Sequence, residues 1–295
     1  MPHLIYKSIN RKTFIKNSLK AAGLAMLPFY AHSNVSLKNS DEAHFALLSD
    51  THIPEDVENV YRGFYPYQNL KKIVPNVLKS NPEAVLINGD VARLSGEKGD
   101  YRNVQQLIAP LAEKLPVYMT MGNHDNRDHV KEIFNLKREI EDQQVMVVET
   151  EPVRFLLLDS LLYVDKVAGL LGKNQRAWLD TFLKNSDNKP TVIFLHHTLG
   201  DRDSDLLDVD RFFSIIKPHQ KIKAIFYGHS HEYKYDTLEG IHLVNQPAVG
   251  YNFSDDQPVG WLTGIFSKEG VNLTLQAFDG NKAQDGKTTS LKWRT

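Results

Sequence analysis

The sequence predicts a layered α/β domain over residues 41–295, and three observations support this prediction. Short apolar runs end in polar residues, segments with apolar residues at helical spacing lie between these runs, and the C-terminal part alternates without helix signals. Short apolar runs indicate buried strands, and strands that alternate with amphipathic helices are typical of layered α/β folds. Because the chain shows no internal repeat, low-complexity tract or interdomain linker, a single domain is the simplest organisation.

Five apolar runs are predicted to be strands that carry polar side chains at their carboxyl ends. In chain order they span residues 45–48, 84–87, 117–121, 191–195 and 224–227, and they are followed by Ser49-Asp50, Asn88-Gly89-Asp90, Gly122-Asn123-His124-Asp125, His196-His197 and Gly228-His229-Ser230-His231. Ligand sites of open α/β sheets lie outside the carboxyl ends of the strands. We therefore expect these polar residues to meet at one edge.

Helical spacing of apolar residues predicts four helices between the strands, over 69–79, 101–115, 174–183 and 205–216. Residues 241–278 show short alternating runs, which predict strands that complete a second sheet. Two segments rich in aromatic residues, 53–67 and 246–258, are predicted to be loops over the site. They could form a lid over a substrate or could simply pack as ordinary loops.

Composition excludes several kinds of site. The net charge is −1, with 35 basic and 36 acidic residues, which argues against a protein that binds nucleic-acid polymers through a large basic surface. The chain has no cysteine, so it can form neither disulfides nor thiolate metal sites. Any transition metal must therefore be bound by nitrogen and oxygen ligands, and twelve histidines are present.

Residues 1–35 are predicted to be an export signal. Their basic start has no acidic residue before Asp41, and the apolar run 21–31 is too short to span a membrane in the mature chain. Residues 11–16, Arg-Lys-Thr-Phe-Ile-Lys, resemble a twin-arginine signal in which Lys12 replaces the second arginine, so both the Tat and the Sec route stay open. The alternative is an amphipathic helix packed on the domain. We expect a periplasmic or extracellular protein without a stable membrane span.

The polar residues at the strand ends suit the hydrolysis of phosphoesters. Two divalent ions about 3.5–4 Å apart can both neutralise a phosphate and supply a nucleophile. Imidazole and carboxylate ligands suit zinc, manganese and iron. Asp50 and His52 alternate by two, so on extended backbone both would face one side. The Asp90 carboxylate can bridge two ions, whereas Asn123 offers a neutral oxygen and leaves the ions a surplus of positive charge.

Together these motifs resemble those of the calcineurin-like metallophosphoesterase superfamily and are similar to its class III cyclic-nucleotide phosphodiesterase branch. The resemblance implies a four-layer αββα sandwich in which helices flank two mixed β-sheets. It also implies two divalent ions (manganese, iron or zinc), with Asp90 as the bridge between them. In that family the remaining ligands divide into two sets, which here are Asp50, His52 and His231 for one ion and Asn123, His196 and His229 for the other.

The resemblance further implies a catalytic role for His124, which would contact the phosphate and protonate the leaving group, and for Asp125, which would orient His124. The implied reaction is the hydrolysis of a small-molecule phosphoester, with a phosphodiester favoured, by a metal-bound hydroxide. A phosphomonoesterase or a non-catalytic, metal-bound interaction module are the alternatives. The presence of His124 favours an enzyme, because a scaffold needs no proton donor. Extracellular nucleotides, phospholipid head groups and cell-wall phosphodiesters all stay open as substrates, and no oligomeric state is predicted.

Three departures from the family pattern affect these predictions. Purple acid phosphatases carry a tyrosine three residues after the bridging aspartate, where this chain has Arg93, so an Fe(III)–tyrosinate centre is not expected. Cyclic-nucleotide phosphodiesterases often carry an acidic residue there, so Arg93 also weakens that assignment. Thr198 stands where the family frequently has a proline. For His197, which precedes it, two roles stay open: a partner of a metal ligand or a merely packed residue. Candidate substrate contacts are Asn123 and His124, with Arg93, Tyr65 and Tyr251.

Overall fold

The computed structural model describes residues 40–134 and 143–295. The predicted export signal, residues 1–35, lies outside the described residues. Within the described ranges the chain forms two six-stranded sheets and helices that flank them.

The first sheet has the strand order β12-β11-β10-β1-β2-β3. Its parallel part is β1, β2 and β3, and β10 pairs antiparallel with β1. Strands β11 and β12 extend the antiparallel part outward from β10. The strands are β1 (Glu42–Leu48), β2 (Ala84–Asn88), β3 (Val117–Thr120), β10 (Pro258–Ser267), β11 (Gly270–Gly280) and β12 (Thr288–Lys292).

The second sheet has the strand order β4-β5-β6-β7-β9-β8. Strands β5, β6, β7 and β9 are parallel, and antiparallel strands close both edges. The strands are β4 (Met146–Glu149), β5 (Arg154–Leu157), β6 (Thr191–Phe194), β7 (Ile222–Tyr227), β8 (Lys234–Leu238) and β9 (Ile241–Asn245).

The prediction that residues 241–278 complete the second sheet is wrong for most of that segment. Only β9 joins the second sheet, whereas β10 lies beside β1 in the first sheet, with a register that runs from Glu42 opposite Ser267 to Leu47 opposite Leu262. Alternation identifies a strand by its buried face. It carries no information about which strand will be the neighbour, because that choice is made by long-range pairing.

The described helices are α1 (Pro66–Lys79), α2 (Lys98–Ala112), α3 (Arg127–Phe134), α4 (Gly172–Asn185) and α5 (Val209–Ile216). The sequence analysis did not predict α3, β4, β5, β8 or β12, each of which is eight residues long or shorter. The fourth predicted helix begins at residue 205, whereas α5 begins at Val209. The difference arises because Asp205 and Asp208 accept hydrogen bonds from backbone N–H groups of neighbouring segments before α5 begins. In residues 40–134 and 143–295, no helix combines the length and apolar character needed to span a membrane.

Strand β1 shows how the layers form. Ala46 and Leu48 point to a core shared with α1, α2 and α3, whereas Phe45 and Leu47 point to a core between the sheets. This separation follows from the period of two in a strand. The core between the sheets holds aromatic side chains of both, with the ring centroids of Phe155 and Phe266 4.9 Å apart.

A third apolar core, which includes Trp178 and Phe212, lies between the second sheet and helices α4 and α5. The layers are therefore helices, sheet, sheet and helices. This arrangement confirms the predicted αββα sandwich.

The two sheets are joined where their parallel strands end. The Asn88 amide, at the end of β2, donates to the carbonyl of Leu195 at 3.1 Å and to Oε1 of Gln246 at 2.8 Å, both of which lie just after strands of the second sheet. Its Oδ1 accepts from the Thr120 hydroxyl at the end of β3. This buried network holds the carboxyl edges of both sheets side by side.

Candidate metal centre

The carboxyl edges bring together six of the seven residues that the sequence singled out as metal ligands, and Asn123 directly precedes His124, whose backbone N–H donates to Asp90. Three overlapping groups have ligand atoms within 4.8 Å of one another. They are Asp50, His52 and His231; His52, Asp90 and His124; and Asp90, His196 and His229. Asp90 belongs to two of the groups, and its Oδ2 lies 3.7 Å from Nε2 of His52 and 3.3 Å from Nε2 of His196. All seven ligand candidates are buried except His229, which is partly buried.

The backbone reaches this site through left-handed turns, which corrects the expected extended geometry at Asp50 and His52. Their φ angles are 51° and 48°, and Asp90, His229 and His231 are also left-handed, at 45°, 71° and 54°. A left-handed residue other than glycine costs about 1–3 kcal/mol and persists only where the surrounding structure determines it. Five of the seven candidate ligands therefore sit on strained backbone at the strand ends.

Two carboxylates lie at the centre. The Asp90 Oδ1 accepts a hydrogen bond from the backbone N–H of His124 at 2.9 Å, and its Oδ2 lies 3.3 Å from Nε2 of His196. Asp50 accepts from the backbone N–H of His229 at 3.1 Å, and its Oδ1 lies 3.3 Å from Nε2 of His231. A Cβ at position 122 would collide with Asp90, so only glycine allows this approach of the backbone.

The ring nitrogens of three histidines are fixed by backbone carbonyls. Nδ1 of His196 lies 3.0 Å from the carbonyl of Asn88, Nδ1 of His231 lies 2.6 Å from that of Tyr251, and Nε2 of His229 lies 3.1 Å from that of Ser204. Because a carbonyl can only accept, each of these nitrogens carries the hydrogen. The opposite nitrogen of each neutral ring then keeps its lone pair, which is the usual arrangement of histidines that bind metals.

Several buried acceptors have no donor, and this fits a cation. Within the described residues, Oδ1 of Asn123 is buried and has no hydrogen-bond partner, and the buried Nε2 of His196 has only the Asp90 carboxylate beside it, at 3.3 Å. Nε2 of His52 and Nε2 of His231 lie only 3.0 Å apart. Buried polar atoms normally have partners, and unpaired ones are costly. These nitrogen and oxygen atoms are therefore suited to be the ligands of divalent metal ions.

Electrostatics at the site follow from burial and from the two carboxylates. Burial lowers the pKa of His52 well below its usual range and lowers the pKa of His229 to about 4, so both rings are neutral at physiological pH. Burial opposes protonation of His196 as well, but the charges of Asp90 and Asp50 outweigh it and raise the pKa of His196 to about 10. The site thus has a negative potential strong enough to hold a positive charge.

His124 lies at the open side of the cluster, with its side chain 21% exposed. Its Nδ1 donates to the carbonyl of Leu94 at 2.7 Å and lies 3.7 Å from a carboxylate oxygen of Asp165. The backbone N–H of Asp165 donates to the carbonyl of Asn123 at 2.8 Å, which fixes this loop against the site. Sequence reasoning missed Asp165, because it lies in the loop after β5 and no motif marks it.

Asp125 does not orient His124 through a side-chain hydrogen bond, contrary to the expectation. Its buried carboxylate instead accepts from four groups, which are the backbone N–H groups of Val91, Ala92 and Gly122 and the hydroxyl of Tyr101, at 2.9–3.2 Å. It therefore holds the loops after β2 and β3 together and affects His124 only through the backbone.

The candidate substrate contacts differ in position. Tyr251 is buried, and its ring stacks on His52 with centroids 4.7 Å apart and lies 4.6 Å from that of His231. Burial, followed by the charge of Asp90, raises the pKa of its hydroxyl, whereas Arg93 lowers it. Tyr65 is 44% exposed at the start of α1, and within the described ranges no ring contact joins it to the site.

His197, for which two roles were open, lies behind a candidate ligand. Its Nδ1 is 2.8 Å from the hydroxyl of Ser160, and its ring is buried 4.8 Å from that of His229. It therefore packs against His229 and supports the position of that ring.

The predicted loops 53–67 and 246–258 contact each other beside the site. The Arg62 guanidinium donates to the carbonyls of Asn252 and Phe253 at 3.1 and 2.8 Å. In the described part of the chain, the exposed large hydrophobic side chains all lie in loops that come after the carboxyl ends of strands. They are Val60, Tyr61, Tyr65, Leu94, Tyr163, Val167, Leu207 and Phe253. Of these, Tyr61 and Phe253 contact the ring of Tyr251, with centroids 4.6 and 5.6 Å apart, so an apolar rim that includes these two rings lies beside the site.

Comparisons with known proteins agree with this geometry. The profile of the calcineurin-like phosphoesterase family matches residues 43–233. The chain is 28% identical over 225 residues to a probable cyclic nucleotide phosphodiesterase of Ruthia magnifica, covering 74% of this chain and 90% of that protein. It is 24% identical over 229 residues to the glycerophosphodiester phosphodiesterase GpdQ of Enterobacter lignolyticus, covering 72% and 81%.

Among solved structures, a dimetal phosphatase from Danio rerio superposes with a TM-score of 0.64 at 16% identity, covering 85% of this chain and 99% of that one. This likeness concerns the fold. The family profile spans well over half of the chain and includes all five motifs at the strand ends. The chain therefore belongs to the calcineurin-like phosphoesterase family and is a hydrolase that acts on phosphoester bonds.

Proposed function

We propose that this protein hydrolyses phosphodiesters with two divalent metal ions bound at the joined carboxyl edges. The observation that carries the proposal is the set of buried acceptors without donors around Asp90. In this proposal Asp90 would lie between the ions, and manganese, iron and zinc all suit these nitrogen and oxygen ligands. The remaining ligands would be Asp50, His52 and His231 for one ion and Asn123, His196 and His229 for the other.

Bound there, two divalent cations would neutralise the phosphate and supply a nucleophile at neutral pH. The chain contributes the charge balance, because only Asp50 and Asp90 among the seven donors are carboxylates. The neutral histidines and the Asn123 amide add no negative charge. The site therefore keeps a surplus of positive charge for an anionic substrate once it is loaded.

His124 is the proposed proton donor to the leaving oxygen. Because Nδ1 donates to the carbonyl of Leu94, Nε2 is the nitrogen that is left to contact a substrate. In the imidazolium form Nε2 would hold the proton for the leaving group. The Asp165 carboxylate, 3.7 Å from Nδ1, would stabilise that positive charge. General acid catalysis of this kind contributes about 10²–10⁴-fold.

Two observations support diesters over monoesters. The apolar rim offers contact area for the organic groups of a substrate, and a diester carries two such groups. The relatives are named for the hydrolysis of cyclic nucleotides and of glycerophosphodiesters, which are both phosphodiesters.

The experiment is metal analysis and then a comparison of substrates. Protein purified without chelator should contain about two divalent ions per chain by elemental analysis. After chelation, added Mn²⁺ or Zn²⁺ should restore activity, with bis-p-nitrophenyl phosphate preferred over p-nitrophenyl phosphate. Trace metal together with no activation would contradict the metal proposal, and a clear preference for the monoester would contradict the diester proposal.

We also propose that the protein is exported through residues 1–35, on the basis of the basic start and short apolar run. N-terminal sequencing of the protein from the periplasm or medium should find a chain that begins near residues 31–33. Recovery of the uncleaved chain in the cytoplasm alone would contradict export.

A further inference from the structure

Arg93 carries a positive charge beside the site that no other described residue neutralises. Its side chain is partly buried, and its Nε is buried without a hydrogen-bond partner. Within residues 40–134 and 143–295, the guanidinium forms neither an ion pair nor a hydrogen bond. The guanidinium instead packs over the ring of Tyr61, with Cζ 4.8 Å from the ring centroid.

Two neighbouring arginines show what such a side chain normally finds. Arg127 forms a two-point ion pair with Asp159, with contacts of 2.6 and 2.8 Å. Arg62 donates to the carbonyls of Asn252 and Phe253. A buried N–H without an acceptor is costly, so the contrast indicates that the acceptor for Nε of Arg93 comes from outside the described residues.

The position of Arg93 separates it from the candidate metal ligands. Its guanidinium packs on Tyr61, the Tyr61 ring lies 4.6 Å from that of Tyr251, and Tyr251 in turn stacks on His52. The guanidinium is therefore linked to the metal cluster by two successive ring contacts, and within the described ranges it contacts no candidate ligand itself. An anion bound by Arg93 can thus be a different group from the phosphoryl group that reacts.

We propose that Arg93 binds a second anionic group, a carboxylate or a phosphate, on the organic part of the substrate. A guanidinium suits this role because its planar fork binds two oxygens of such a group at once. The rings of Tyr61 and Tyr251 would cover the linker between the two anionic groups. This inference rests on the proposed function and narrows it, because it favours substrates with two anionic groups over those with one.

The test uses three p-nitrophenyl phosphodiesters that differ only in the second ester group, which is ethyl, 2-carboxyethyl or 2-phosphonoethyl. The metal-loaded wild type should prefer the two anionic diesters. Arg93→Met should lower kcat/KM on the preferred one by about 10- to 150-fold, the range for hydrogen bonds to charged groups, and should change the ethyl ester less than about twofold. The carboxylate and phosphonate arms distinguish the two sources of negative charge.

Two variants control for other effects. Arg93→Lys keeps the charge without the fork and should retain part of the preference. Arg102→Met removes a positive charge from an exposed position on α2 and should leave the preference intact. Loss of activity by Arg93→Met on all three diesters alike, with an unchanged unfolding temperature, would overturn the inference while the proposed function stands.

A binding measurement separates this inference from turnover. Isothermal titration should show that wild type binds 2-carboxyethyl(methyl)phosphinate, which has no ester bond to hydrolyse, more tightly than methyl(propyl)phosphinate. Arg93→Met should abolish that difference. If no diester is hydrolysed but the difference in binding is found, the proposed function fails and the role of Arg93 holds. Equal binding of the two phosphinates by wild type would overturn the proposed role of Arg93.

Discussion

Replacement of Asp125 by asparagine should destabilise the fold more than it alters the chemistry. The carboxylate accepts four hydrogen bonds, two at each oxygen. An amide offers only one oxygen, so two of the four donors would face an NH₂ group whichever way it points. At about 1.5–3 kcal/mol for each bond to a charged group, this loss amounts to about 3–6 kcal/mol.

A second effect offsets part of this loss. Burial, followed by the charge of Asp90, raises the pKa of Asp125 to about 6, which shows that its charged form is disfavoured at this position. The neutral amide removes that disadvantage, which is about 3 kcal/mol at about 1.36 kcal/mol for each pKa unit. We therefore expect Asp125→Asn to lower the free energy of unfolding by up to about 3 kcal/mol at neutral pH.

Urea unfolding followed by circular dichroism measures this change, with Tyr101→Phe as the matched partner in a double-mutant cycle. Because Tyr101 donates one of the four bonds, the two substitutions should be less than additive. Activity should fall by the same factor for substrates with good and poor leaving groups. An unchanged stability, combined with a loss confined to poor leaving groups, would refute this reasoning and restore the role of Asp125 in orienting His124.

Three further predictions concern the metal ions, the proton donor and pH. Asp90→Asn should weaken both metal sites together, because the bridge is shared; a metal titration that finds one site at full affinity would show that Asp90 does not bridge. His124→Ala should keep the metal content. On alkyl esters its kcat/KM should fall by most of a factor of about 10²–10⁴, whereas on p-nitrophenyl esters the fall should be smaller, because that leaving group needs no proton. Equal losses on both would leave His124 with an electrostatic role only. Burial raises the pKa of Asp100 to about 6 from 3.8, so the folded state binds this proton more tightly and stability should fall as pH rises through that window. Asp100→Asn, which keeps an acceptor for the N–H of Glu97, should remove this part of the pH dependence of urea unfolding, and an unchanged slope would show that the carboxylate is not its source.

Local pattern identified the strands that build the site. In β1, for example, the run Phe45–Leu48 is buried on both faces, and such a run is apolar throughout. The helix α3 and the strands β4, β5, β8 and β12 were not predicted. Length alone does not explain this, because β3 and β6 are also four residues long and were predicted from the motifs that follow them.

The side chains around the candidate ligands were harder to predict than the ligands. Asp165 meets His124, and Arg93 meets Tyr61, across loops that are distant in the sequence. Asp125 belongs to the same motif as His124, yet its carboxylate turns away to hold two loops. Adjacency in a motif therefore did not predict contact between side chains.

The amino-acid sequence alone fixed the residue types at the strand ends, and with them the chemistry of the site. Parallel strands deliver the residues after their carboxyl ends to one edge, so the motifs were enough to predict that Asp50 and Asp90 converge. His196 follows a strand of the second sheet and joins them only because the two sheets meet edge to edge. The sequence did not reveal the placement of β10 beside β1, the left-handed turns at five candidate ligands or the carbonyls that fix the histidine rings. Nor did it reveal that, within the described residues, Nε of Arg93 has no acceptor. The physical reason is that strand partners and hydrogen-bond partners come from distant segments, and the pattern of one segment carries no information about the other.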